Sequence, residues 1–189
     1  KNINKDIGKI QSAFGLYGNG INNNGSHLID WSRMFLGEVD WVRSIANGKF
    51  LKEGPINNDL NFSFILGFKS QIILMVQPLE FKKYREILLD FWGEKGRLFF
   101  CQEGLISSLS YKRNHRFSQN DYEIENDKQV FNLMNQSEAL YELYSNLSQS
   151  ILKNSRLKSD LNNAFMVMKI IKKIEKSFKE NDSKILIHE

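Results

Sequence analysis

Apolar and polar residues alternate along the first two thirds of the chain and then change period. Between Ile7 and Tyr17, Ile10, Ser12, Phe14 and Leu16 share one side, the pattern of a strand. The run Gly18-Asn19-Gly20-Ile21-Asn22-Asn23-Asn24-Gly25-Ser26 comes next. Glycine and asparagine accept positive φ readily, so a tight, irregular connection is expected there. A short helix is expected from about His27 to Leu36, with Leu28, Ile29, Phe35 and Leu36 packing inward and Gly37 as its stop. Val39, Trp41, Val42 and Ile45 predict a strand with imperfect alternation. Leu60, Phe62, Phe64 and Leu66 alternate with Asn61, Ser63 and Ile65, as a strand with one buried face would. Ile72 to Val76 is a short apolar run closed by Pro78. Ile87 to Trp92 and Arg97 to Cys101 flank Gly93-Glu94-Lys95-Gly96, a hairpin with a four-residue loop. Leu105 to Tyr111 adds a further strand. The short turns favour antiparallel pairing.

In the last third the period becomes helical. Leu133, Leu140, Leu143, Tyr144, Leu147 and Ile151 fall on one face, as do Leu161, Phe165, Met168, Ile171, Ile174 and Phe178 in the longest helix. The latter stripe of Met and Phe is expected in the core. Asp160 near the start of that helix, and Lys176 and Lys179 near its end, suit its dipole. Lys184 to Ile187 predicts a closing edge strand. A strand-rich middle followed by helices argues for an α+β domain, a predominantly antiparallel sheet with helices on one face.

Composition narrows the picture. The chain has 189 residues, 41% hydrophobic and 25% charged, which suits one globular domain over residues 1–189. Mean hydropathy is −0.41 and no apolar run approaches the roughly 18 residues of a membrane span, so no membrane partner is expected. No signal-peptide pattern opens the chain. Cys101 is the one cysteine; it cannot form an internal disulfide, and in the run Leu98-Phe99-Phe100-Cys101 it reads as a buried, inert thiol of a cytoplasmic protein. The net charge is +4 and the pI about 9.0, but Lys169, Lys172, Lys173, Lys176 and Lys179 read as the solvated face of one helix. There is no basic stripe with exposed aromatics, so nucleic acid is not an expected partner. Position 1 is a lysine, and the sequence is read as a fragment of a longer one.

Most known chemical motifs are missing. Gly18, Gly20 and Gly25 follow the spacing G-x-G-x-x-x-x-G, with no βαβ unit and no acidic ribose ligand, so this segment is not expected to bind a dinucleotide. The histidines stand alone at 27, 115 and 188, and no cluster has metal-ligand spacing. One constellation remains, Asn23-Asn24-Gly25-Ser26-His27-Leu28-Ile29-Asp30. It places an imidazole at a helix N-terminus directly after a donor-rich loop, which suits a general base because the dipole favours the neutral ring. Asp30, three residues on, shares the helical face and could orient the ring. The plainer alternative is that His27 caps its helix and Asp30 pairs elsewhere.

Asn23 to Trp31, continued by Phe35-Leu36-Gly37-Glu38-Val39, resembles the signature that opens the C-terminal domain of the glucose–fructose oxidoreductase/inositol dehydrogenase/MocA (Gfo/Idh/MocA) family. There it has the form (D/N)-x-x-x-H-x-x-D followed by an apolar helix ending L-G-E-V. The Gly93–Gly96 hairpin and the long final helix ending Lys176-Ser177-Phe178 are similar to that family as well. The resemblance implies a domain whose sheet faces a nicotinamide and binds a sugar or sugar nucleotide. NAD or NADP would be held mainly by an N-terminal Rossmann domain, absent from this chain together with its catalytic lysine. Such a domain takes on the order of 100–150 further residues, so this chain alone is expected to be inactive. By the resemblance His27 accepts the proton of a substrate hydroxyl, and Asn23 hydrogen-bonds the substrate at a position that is Asp in many relatives. Asp30 steadies the histidine or its helix, and Tyr17, Asn22 and Asn24 are further candidates for sugar contacts. A homodimer or tetramer through the open sheet face is expected. The alternative is a non-catalytic oligomerisation or partner-binding module of the same fold.

Overall fold

The computed structural model describes residues 3–45, 55–125, 129–132 and 136–188. A short helix α1 (Ile3–Ile7) precedes strand β1 (Ile10–Gly18), and a π-helical turn (Ile21–Gly25) runs directly into α2 (Ser26–Leu36). Seven strands follow: β2 (Val39–Ile45), β3 (Ser63–Phe68), β4 (Ile73–Leu79), β5 (Leu88–Gly93), β6 (Gly96–Cys101), β7 (Ile106–Asn114) and β8 (Tyr122–Ile124). After β9 (Gln129–Asn132) come α3 (Gln136–Lys153), α4 (Leu161–Lys179) and the edge strand β10 (Ile185–Leu186). The sheet order is β10-β2-β3-β4-β1-β5-β6-β7-β8, with β9 also paired to β7. The fold is α+β with a predominantly antiparallel sheet, as expected, and one pairing in it is parallel. β1 runs parallel to β4 and antiparallel to β5, because the long excursion through α2, β2 and β3 brings the chain back beside β1 in the same direction.

The register sorts side chains onto two faces. Leu66, Leu74, Ala13, Phe91, Leu98 and Leu109 form one row of cross-strand partners on the face that carries the helices. There Leu28 and Ile29 of α2 and Val167, Ile170, Ile171 and Ile174 of α4 complete the core. Gly15 leaves the space that Leu28 fills, since a Cβ there would lie 3.2 Å from the leucine Cδ2. On the other face Ile65, Met75, Phe14, Asp90, Phe99, Ser108 and Val130 make an equivalent row. Phe14, Met75, Ile73 and Val130 are exposed there. Arg97 stacks on Trp92 and Phe99 while its guanidinium bonds Asp90 through two nitrogens, each at 2.8 Å.

Several expectations are corrected. Ser12, Phe14 and Leu16 of β1 face away from the helices; the buried side is Ala13 and Tyr17, and a bulge between Ile10 and Ser12 returns Ile10 to the core. A similar irregularity between Val39 and Trp41 accounts for the imperfect alternation of β2. β4 continues through Pro78 to Leu79; its ladder with β3 ends at Val76, so the imide nitrogen falls outside that ladder. The β5–β6 connection is two residues, Glu94 and Lys95. The expected stripe on α4 is divided: Ile171 and Ile174 are buried, but Leu161, Phe165 and Met168 are exposed. The helix is apolar on two sides, and the sheet takes the β-branched one. On α3, Leu140, Leu143, Tyr144, Leu147 and Ile151 are exposed, while Leu133 lies outside the described residues.

Candidate functional site

Four successive backbone N–H groups of the glycine- and asparagine-rich loop face the segment Asp59–Asn61. Gly20 donates to the Asn61 side-chain oxygen at 2.8 Å, and Ile21 to the Leu60 carbonyl at 2.8 Å. Asn22 donates to both Asp59 oxygens at 3.1 and 3.0 Å, and Asn23 to Asp59 Oδ2 at 3.0 Å. Beneath them Tyr17 is fully buried; its hydroxyl donates to the Phe62 carbonyl at 2.9 Å and accepts from the Phe62 N–H at 2.7 Å. The amides that could have cradled a phosphate are thus taken by the protein's own acceptors, two of them by the Asp59 carboxylate.

The asparagines of the loop are engaged differently. Asn22 is exposed, with its amide nitrogen on Asp59 Oδ1 at 2.8 Å. Asn23 is half-buried and donates to the Asn19 carbonyl at 3.2 Å. Asn24 is buried, and its Nδ2 has no protein partner. Ser26 ties the turn to the helix by donating to the Asn23 carbonyl at 2.5 Å. One residue later His27 stands exposed on the first turn of α2.

His27 opens onto a cavity of about 440 Å³ lined by Asp30, Trp31, Arg33 and Met34 of α2, then Glu38, Lys158, Ser159 and Asn163. The cavity lies in the helix layer, between α2 and the start of α4, and not on the open sheet face. Asp30 lines the same cavity, but its carboxylate accepts from Asn163 Nδ2 at 2.6 Å and lies 3.7 Å from Arg33 Nη1. It therefore braces α2 against α4. Arg33 is buried; Nη1 donates to Asn163 Oδ1 at 2.7 Å and Nη2 to both Glu38 oxygens at 2.9 and 3.0 Å, while Nε has no partner. An exposed imidazole beside a cavity that also carries the Asp30, Glu38, Lys158, Ser159 and Asn163 side chains can exchange a proton with a bound hydroxyl.

Of the candidate residues read from the sequence, His27 and Asp30 share this cavity. Asn22, Asn23 and Asn24 lie in the turn that leads into it and do not line it. Tyr17 sits under the loop with its hydroxyl bonds filled, so it is a support and not a surface for ligand. The sequence reading missed Arg33, Asn163 and the Asp59–Asn61 segment. Arg33 had a signal, since positions 29, 33 and 36 repeat on the buried face of α2. Asp59 had none, because nothing local in Asn57-Asn58-Asp59 points 37 residues back to Asn22.

No family model and no curated protein matches the sequence. Solved structures do match the fold. A levoglucosan dehydrogenase in complex with NADH and L-sorbose superposes with a TM-score of 0.75 at 13% identity, over 98% of this chain and 60% of that one. An NAD-binding oxidoreductase from Klebsiella pneumoniae gives 0.75 at 11% identity, over 98% and 61%. A super-repressor mutant of Gal80p from Saccharomyces cerevisiae gives 0.71 at 13% identity, over 96% and 58%. The chain therefore spans about three fifths of the length of the structures it matches, and at these identities the likeness is one of fold. That fold is the one the motif around His27 implied: the chain has the architecture of the C-terminal domain of the Gfo/Idh/MocA oxidoreductases.

Proposed function

We propose that this chain is the substrate-binding half of an NAD(P)-dependent oxidoreductase acting on a hydroxyl of a sugar or sugar nucleotide. The observation that carries the reading is the exposed His27 lining a cavity between α2 and α4, on a helix whose entry turn is hydrogen-bonded to Asp59. In this reading His27 takes the hydroxyl proton as hydride leaves the same carbon for the nicotinamide, which a separate cofactor domain supplies. Asn23 orients the substrate from the preceding turn. The unpartnered Asn24 Nδ2 is the donor this reading assigns to a ligand oxygen, and Asn22 adds a weaker contact. Asp30 acts through α2 by bracing it on Asn163. The open sheet face is proposed to pair with a second copy, since Ile73, Met75 and Phe14 expose an apolar patch across β4 and β1, with Val130 of β9 exposed on the same face.

Two measurements test this. NMR titration of the chain with L-sorbose should perturb the His27 ring and the Asn23 side chain; a spectrum unmoved at saturating sugar would overturn the reading. In an enzyme joining this domain to a cofactor domain, His27→Ala should lower turnover by roughly 10²–10⁴, the usual contribution of a general base. Near-normal turnover would remove His27 from the chemistry. A second reading, a partner-binding module, is favoured by one observation: the fold is shared with the transcriptional regulator Gal80p from Kluyveromyces lactis, at a TM-score of 0.71. It predicts no sugar response at His27.

A further inference from the structure

An α-helix begins with N–H groups that have no partner inside it. The helical run from Ile21 to Leu36 begins after Gly20, which has no side chain with which to cap it. The cap comes instead from a strand-side segment far along the chain. Asp59, only 4% exposed, accepts from the Asn22 N–H, the Asn23 N–H and the Asn22 side-chain amide. A carboxylate at this end of a helix is favoured by the dipole, and hydrogen bonds to an ionised acceptor are about twice as strong as neutral ones. The fit is close: Gly20 has φ 99°, and a Cβ there would stand 2.0 Å from Asp59 Oδ2.

The consequence reaches the candidate site through two hydrogen bonds and a short stretch of backbone. Asp59 fixes the Asn23 backbone, Asn23 accepts the Ser26 hydroxyl, and His27 follows at the first turn of α2. These bonds join those of Gly20 and Ile21 to Asn61 and Leu60 in holding that turn, and Gly20 itself contributes no side-chain cap.

We propose that Asp59 is a positioning residue: a helix cap supplied from 37 residues away that fixes the Asn23–His27 turn in the geometry the site needs. This rests on the proposed role of His27. The test compares the 189-residue protein with Asp59→Asn and Asp59→Glu, following amide hydrogen exchange at Asn22 and Asn23, the His27 ring resonances, and the response of those resonances to L-sorbose. Asp59→Asn keeps the volume but loses the charge and one acceptor oxygen. It should speed exchange at Asn22 and Asn23 about tenfold or more, move the His27 resonances and weaken the sugar response about tenfold. Exchange at Leu74 and Phe91 in the sheet should stay as in the parent. Asp59→Glu, which keeps the carboxylate, should recover part of each change. Unmoved His27 resonances and an unchanged sugar response, with the Asn22 and Asn23 amides freed, would overturn the proposal. If the parent protein shows no sugar response, the oxidoreductase reading fails, while the His27 resonances still decide whether Asp59 positions the turn.

Discussion

Tyr17 shows how one side chain can be decisive without touching a ligand. Burial pushes its hydroxyl pKa well above the ordinary value; the hydrogen bond to Phe62 opposes this in part, and the nearby Asp59 carboxylate adds a little to it. Below pH about 10, the ordinary tyrosine value, the group is neutral in both folded and unfolded chains and its contribution is intact. Above that pH only the unfolded chain ionises, so the contribution falls as pH rises. Tyr17→Phe leaves the Phe62 N–H and carbonyl without this partner and should cost roughly 1–3 kcal/mol near neutral pH. Urea unfolding should show the deficit narrowing above pH ~10; a deficit that widened there would contradict the assignment. His27 was legible in the sequence because its neighbours are local, four residues from Asn23 and three from Asp30. In the sequence Tyr17 reads as the end of a strand and a candidate sugar contact, not as a buried support. Its partner lies 45 residues away, a distance across which periodicity carries no information.

At the scale of elements, local rules located the pieces well and their facing less well. α4 begins where capping chemistry says it should: Asp160 accepts from the Asn163 N–H at 2.9 Å. Asp160→Ala should lower stability by about 1 kcal/mol, read from the urea midpoint. Because Asn163 is also the residue that bonds Asp30 and Arg33, the same change should loosen the cavity wall, and a variant with unaltered stability would remove Asp160 from the cap. The facing of α4 was not legible, since Leu161, Phe165 and Met168 are as apolar as the isoleucines that pack on β2. Nor was the facing of β1, where a single bulge reverses the inference drawn from alternation. The short strands β8 and β9 lack an apolar run of their own and exist through pairing with β7.

For the whole molecule, the exposed row on the open sheet face sets the expectation for self-association. Phe14→Asp, at the centre of that row, should shift the mass measured by light scattering from dimer or tetramer toward monomer without unfolding the chain. An unchanged mass would place the interface elsewhere. The fold class was legible from the switch of period along the chain, whereas the parallel β1–β4 pairing was not, because it depends on where a long excursion returns. That pairing governs how the chain must assemble. β1 is the earliest strand yet lies in the middle of the sheet, with partners that begin at Ile73 and Leu88. A growing polypeptide therefore holds its central strand unpaired until β4 has emerged, about 55 residues after Gly18, and closing so long a loop is slow. The turn that carries His27 follows directly on that waiting strand, so its support from below is in place only once the middle of the sheet has closed.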